Sequence, residues 1–324
     1  MINFTRAFDS AWERMHVILF RPFDFGKWCA IGFSAFLAGF LQGGNGINGS
    51  FNNGNFNNNA FTKSSGQTPN IDWHQFHSSI ANAFTGMQVG IICAIVILIG
   101  VFTLAFILLM YWLGARGQFM FLDNIVRNRG AIAWPWQNYS RLGNSLFGFY
   151  LLFLLISFAI FIPILIAAAV MCIPLFTQHR WPVGGEIAGF VILGLLYFGL
   201  AIVMGFILFV FREFGVPIMF RQGLLARPAF WASMKLISRH TGSVVVFVLL
   251  RMAIFIGVAI LSILICCATC CIGTLPYIGT VILLPVLVYV RCFTLDCLAQ
   301  FGPEYDVWIV DVPPASSLEG QPPA

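Results

Sequence analysis

Charged side chains are scarce in this sequence. Asp, Glu, Lys and Arg together make up 9% of its 324 residues, against about 25% in a soluble globular domain. So few charges do not cover a water-facing surface of this size, which argues against an ordinary soluble domain. Acidic residues number 12 against 17 basic ones, for a net charge of +5, too small an excess to mark the whole chain as a polyanion binder. Motifs of soluble catalysis are missing as well. No GxSxG, P-loop or HExxH occurs, the spacings that build a nucleophile elbow, a phosphate cradle and a zinc site. The sequence nominates no catalytic residue and no cofactor.

What the chain has is apolar length. Hydrophobic residues make up 59% of it, and Phe alone occurs 35 times. A helix needs about 20 apolar residues to cross about 30 Å of hydrocarbon. Runs at about 28–44, 88–113, 145–172, 187–211, 243–272 and 276–300 meet or approach that length. In lipid the backbone must bond to itself, so such runs are helices. The fold class expected is an all-α integral membrane protein with six transmembrane helices, in one domain over residues 1–301.

Basic residues set its orientation. Arg6, Arg14, Arg21 and Lys27 precede the first run; Arg116, Arg127, Arg129 and Arg141 follow the second; Arg212, Arg221, Arg227, Lys235 and Arg239 follow the fourth. The alternate connections carry only Lys63, only Arg180, or none. Basic connections stay on the cytoplasmic side, so the chain is expected in a cell membrane, such as a bacterial inner membrane, with both termini cytoplasmic. The first run starts too late for a cleavable leader and is expected to remain as an anchor.

An internal repeat is visible. "RGAIAWPWQNYSRLGNSLFGFYLL" from Arg129 aligns with "RPAFWASMKLISRHTGSVVVFVLL" from Arg227, matching Ser140 with Ser238, Arg141 with Arg239 and Ser145 with Ser243. A looser copy opens the chain, where Phe4, Phe8, Ala11, Trp12, Met15 and Leu19 share one helical face. The pattern suggests three units, each an interfacial cytoplasmic helix followed by two spans. The outer loop 45–67 is Asn/Gly-rich, a composition that does not fold alone. Thr68 and Pro69 can start a short outer helix over 68–85. Residues 302–324 form an acidic, Pro-rich tail expected to be disordered.

Charges inside the runs are the candidate site, because they are costly in lipid. Arg251, Arg291 and Asp296 lie within the last two spans, with Asp296 expected to pair with either arginine. Arg116 with Asp123, and Arg212 with Glu213, mark the inner ends of the other inward spans. These groups either line a cytoplasm-facing polar cavity or form an ion-pair network. Arg127, Arg129, Arg141, Arg221, Arg227, Lys235 and Arg239 are placed for contact with lipid headgroups. The same charges satisfy the orientation rule, so nucleic acid is not an expected partner; membrane lipids are, and a protein partner or a second copy remains open. His74 and His77 are weak metal candidates, since only two ligands are local. Cys266, Cys267, Cys270 and Cys271 fan over about 140° of one helix. That suits close helix packing better than a zinc site, and a disulfide would need a thiol from elsewhere, such as Cys172.

Two stretches carry a family resemblance. "AWERMHVILFRPFDFGKWCAIGFSAFLAGF" resembles the opening of a group of uncharacterised prokaryotic membrane proteins. "FGVPIMFRQGLLARPAFWASMKLISRH" is similar to the cytoplasmic connection of six-span domains. Those include the membrane domain ahead of some glycerophosphodiester phosphodiesterases. The resemblance implies a six-span bundle with no activity of its own. The function expected is therefore a structural, lipid-associated or accessory role without enzyme activity. A small-solute or anion transporter is the alternative, and an intramembrane enzyme the weaker one.

Overall fold

The computed structural model describes residues 3–40, 87–177, 184–268 and 276–308. Loop 45–67, the 68–85 segment with His74 and His77, Cys270, Cys271, the side chains of Cys266 and Cys267, and residues 309–324 lie outside the described residues.

Every regular element among the described residues is helical. The chain opens with α1 (Phe4–Phe20) and α2 (Phe25–Gly39), followed by α3 (Met87–Val126). A short α4 (Ala133–Asn138) leads into α5 (Ser140–Thr177) and α6 (Gly184–Val210). A π turn (Phe211–Gly215) joins α6 to α7 (Val216–Gln222). Then come α8 (Ala226–Arg239), α9 (Thr241–Ala268), α10 (Pro276–Ile282), α11 (Leu284–Ala299) and a 3₁₀ turn (Pro303–Tyr305). Local chemistry sets several starts. Asn3 accepts from the Arg6 N–H at 3.1 Å to cap α1, and Asp24 accepts from Gly26 N–H at 2.8 Å to cap α2. Ser145 Oγ accepts from Ala226 N–H at 3.0 Å, so a side chain of α5 caps α8.

Among the described residues four helices are long and apolar enough to cross a membrane: Cys93–Val126, Ser140–Ile173, Gly184–Gln222 and Thr241–Leu264. With 40 residues, α3 is about 60 Å long, twice the usual hydrocarbon thickness. The extra length is packed protein. Ala115 to Ile125 of α3, Leu146 and Tyr150 of α5, Val210 of α6, and Val244 and Phe247 of α9 are buried in one cluster. The far halves of these helices instead expose large apolar side chains, such as Ile95, Phe102, Leu155, Ile166, Leu195 and Ile263. The core therefore sits at one end, where the basic connections lie.

Aromatic rings join the elements there. Phe8 of α1 meets Phe293 of α11 at 4.6 Å, Phe293 stacks on Phe247 of α9 at 6.1 Å, and Phe247 meets Phe214 of the π turn at 5.0 Å. Such pairs add to area burial only in tilted or offset geometry, which these have.

Three expectations change. First, α1 does not lay its apolar face on lipid: Ala7, Ala11, Met15, Ile18 and Leu19 are buried and α1 packs along α11. Trp12, assigned to that face, is 63% exposed. Second, α2 has 15 residues, about 22 Å; the last apolar run, where Pro285 is expected to break the span, is split in two at Leu283. Pro285 explains the split, since it has no N–H to offer the carbonyl of Val281. The Trp28 indole N–H of α2 donates to that carbonyl at 3.2 Å. Third, residues 302–308 are folded, with Val307 buried and the Arg14 guanidinium 3.9 Å over the Trp308 ring.

Close backbone approach limits α3. A Cβ at Gly117 would lie 2.7 Å from the Ala38 nitrogen of α2, whereas one at Gly100 meets nothing within 4 Å. Gly117→Ala should cost about 1–3 kcal/mol, while Gly100→Ala should be neutral or stabilising by up to about 1 kcal/mol. Thermal unfolding of the two detergent-purified variants checks this; equal effects would refute the α2–α3 contact.

Candidate functional site

Three groups of charge occupy the packed end, each built around one carboxylate. The first is Asp123, fully buried on α3. Its Oδ2 is 2.7 Å from Arg129 Nη2, which donates to it, and accepts from Arg129 Nε at 3.0 Å. Oδ1 lies 3.1 Å from Arg127 Nε and accepts from the Tyr139 hydroxyl at 3.1 Å. Both guanidinium groups also stack on Trp134, at 5.1 and 4.1 Å. This is a closed knot that fixes the turn into α4. Burial and the neighbouring Asp123 push the Tyr139 phenol up to about 12. It therefore stays a donor at neutral pH.

The second is Asp296 on α11. It pairs with Arg14 of α1 at 3.2 Å and accepts from the Ser10 hydroxyl at 3.0 Å. Sequence reasoning expected Arg251 or Arg291 as its partner. The packing of α1 against α11 brings Arg14 there instead.

The third is Glu213 in the π turn, 3% exposed. Arg212, Arg251 and Arg291 surround it at 3.7, 3.5 and 3.8 Å. Three separate stretches thus converge: the π turn, α9 and α11. The wider turn lies directly ahead of Pro217, whose ring would meet the carbonyl four residues back in a regular helix. Gly215 lets the Phe211 ring close over the turn, since a Cβ there would run into that ring. Thr294 Oγ lies 3.1 Å from Glu213 Oε2 and 3.2 Å from the Val290 carbonyl. With one proton it serves one acceptor at a time.

Arg251 and Arg291 come near each other, but at Glu213 rather than at Asp296. Arg116 does not reach Asp123. It lies between Trp112 and Trp136, 4.3 and 4.9 Å from the ring centres, and donates to Asn144 Oδ1 at 3.1 Å. Arg141, Arg227, Lys235 and Arg239 are exposed and Arg221 half-buried; Arg127 and Arg129, placed with these as headgroup contacts, are held by Asp123. Gln118, Tyr150 and Thr294 were missed. Their signal was an isolated polar side chain within an apolar run, with Thr294 one turn after Arg291. Among the described residues no group of His, Cys, Asp and Glu could hold a metal ion.

Glu213→Gln leaves three guanidinium groups facing one another, and should destabilise the protein by about 3 kcal/mol. An unchanged unfolding midpoint would show that the carboxylate does not hold them. At alkaline pH, the Tyr139 contribution to stability is complete below pH 10, its ordinary value, and is lost as pH rises through about 12. Tyr139→Phe should flatten that part of the alkaline stability limb; an identical limb would rule Tyr139 out.

The chain matches, over residues 2–284, a family of unknown function, DUF7544, and belongs to it. No curated protein and no solved structure matches the chain.

Proposed function

We propose that this DUF7544 member is a multi-pass integral membrane protein with a lipid-associated, non-enzymatic role, its packed end facing the cytoplasm. The observation that carries this is the segregation of surfaces along single helices. The far halves of α3, α5, α6 and α9 present apolar side chains outward, while carboxylates and guanidinium groups gather at one end. Lipid accepts the first surface and excludes the second.

The amphipathic α8 supports the same orientation. It buries Ala226, Ala229, Ser233 and Leu236 against the core and exposes Arg227, Trp231 and Lys235. A basic stripe with an interfacial Trp suits an anionic leaflet. On this reading α2 and the split α10–α11 are the remaining two of six spans, and the order short helix, span, span recurs three times. The similarity to the membrane domain ahead of glycerophosphodiester phosphodiesterases belongs to this reading, carried by the α7–α8 stretch. The buried carboxylates support a non-catalytic role. Asp123, Glu213 and Asp296 each face guanidinium groups and are engaged as ion-pair partners.

Alkaline carbonate washing of membranes should leave the full chain in the pellet; release into the wash would refute membrane integration. A fluorescent protein fused after Ala324 should fluoresce, and an alkaline phosphatase fused there should be inactive. The reverse pattern would place the packed end outside.

A further inference from the structure

We propose that Arg212, Arg251 and Arg291 form a binding site for a phosphate group, with Glu213 as the internal counterion that holds the three arginines when the site is empty. The inference deepens the membrane reading, and only its lipid source rests on that reading.

Charge is the first argument. Three guanidinium groups surround one carboxylate. The groups facing Arg291 include Glu213, Arg212, Arg251, the Tyr150 phenol and the Cys292 thiol. Among the described residues Glu213 is the carboxylate that these three arginines pair with, so two positive charges remain uncompensated in a largely buried place. Unpaired buried charge is strongly disfavoured, and an anion carrying two negative charges neutralises it.

Geometry is the second. Guanidinium–carboxylate bonds that are fully made are about 2.7–2.9 Å long, as Arg129 to Asp123 shows at 2.7 Å. The contacts to Glu213 are 3.5–3.8 Å. The same molecule thus contains one closed arginine–carboxylate knot and one open one. Arg251 Nε and Arg291 Nε have no hydrogen-bond partner, and neither has Arg127 Nε beside Asp123, so the longer contacts are what mark the second knot as open.

The third argument comes from neutral neighbours. Gln118 is 5% exposed and Tyr150 7%. The Tyr150 hydroxyl and the Gln118 amide lie against each other, and neither has a well-formed hydrogen bond to any other side chain. The Tyr150 phenol faces Arg212, Arg291, Glu213 and Gln118. Buried polar atoms are normally paired, so a polar set around an open arginine cluster points to a ligand that completes it. Phosphate suits these donors: its oxygens accept from the forked N–H groups of several arginines at once. The guanidinium side chains remain 12–17% exposed, so they are not sealed from their surroundings. A phosphomonoester lipid headgroup and free phosphate share this chemistry.

The test uses the full chain in detergent, with thermal unfolding followed against sodium phosphate at constant ionic strength set by sodium chloride. In parallel, the protein is titrated with phosphatidate in mixed micelles, and with oleate as an anionic amphiphile without phosphate. Phosphate, phosphatidate or both should raise Tm in a saturable way, and oleate should not. Response to phosphatidate alone assigns the site to a headgroup, and response to phosphate assigns it to the free anion. Arg291→Gln should weaken the responding ligand about tenfold, whereas Lys235→Gln on the exposed face of α8 should not.

Glu213→Gln supplies a check that does not depend on losing the site. It lowers Tm without ligand and should widen the gap between free and saturated protein. No saturable response to either phosphate compound, or an equal response to oleate, overturns the proposal. So does an Arg291→Gln variant that folds and responds as wild type, or a gap left unchanged by Glu213→Gln. If Arg291→Gln fails to fold, Arg251→Lys takes its place, with the same loss expected because one ammonium does not replace the fork. Release of the protein by carbonate would refute the membrane reading and leave the phosphate titration to decide the site.

Discussion

Glu213 is where this fold depends on charge. Its carboxylate draws together an arginine from its own π turn, one from α9 and one from α11, with a threonine hydroxyl of α11 beside it. Those segments lie far apart in sequence, so the contact closes the bundle rather than stiffening one hairpin. Remove the carboxylate and like charges face one another in a place of low polarity, where repulsion is strong. The aromatic chain from Phe8 through Phe293 and Phe247 to Phe214 runs through the same elements. It is non-directional, and the Glu213 contacts supply the register.

Helix length and polarity divide the molecule crosswise. In a soluble bundle each helix has an inner and an outer face along its whole length. Here the division runs along the axis, with one end packed and the other apolar on the outside. That arrangement lets the chain keep buried polar residues such as Asp123, Asn124, Gln118 and Thr294 without exposing them to hydrocarbon. Three of them, Asn124, Asp123 and Thr294, have partners within the protein.

The apolar runs were legible from length and composition because the physics behind them is one-dimensional. So was the break near Pro285, since a missing N–H is a property of the residue itself. Charge pairing was harder. Arg251 and Arg291 share a neighbour, Glu213, as side chains of adjacent helices can. Their partner depends on rotation about the helix axis, and the π turn changes that rotation by widening one loop of the ladder. Asp296 found Arg14 because α1 packs on α11, and an amphipathic pattern does not say whether protein or lipid covers its apolar face. Arg116 lies two turns from Asp123 on α3, too far to compete with Arg127 one turn away and Arg129 beyond the helix end.

The bond from the Trp28 indole to the Val281 carbonyl has a consequence for the order of assembly. α2 supplies the donor that α10 lacks, and α1 rests on α11, with Asn3 and Gln300 exchanging two hydrogen bonds. α1 and α2 therefore reach their final surroundings only after α10 and α11 have been made. Until then α2 has α3 to pack on, while the faces of α1 and α2 that meet α11 and α10 stay uncovered.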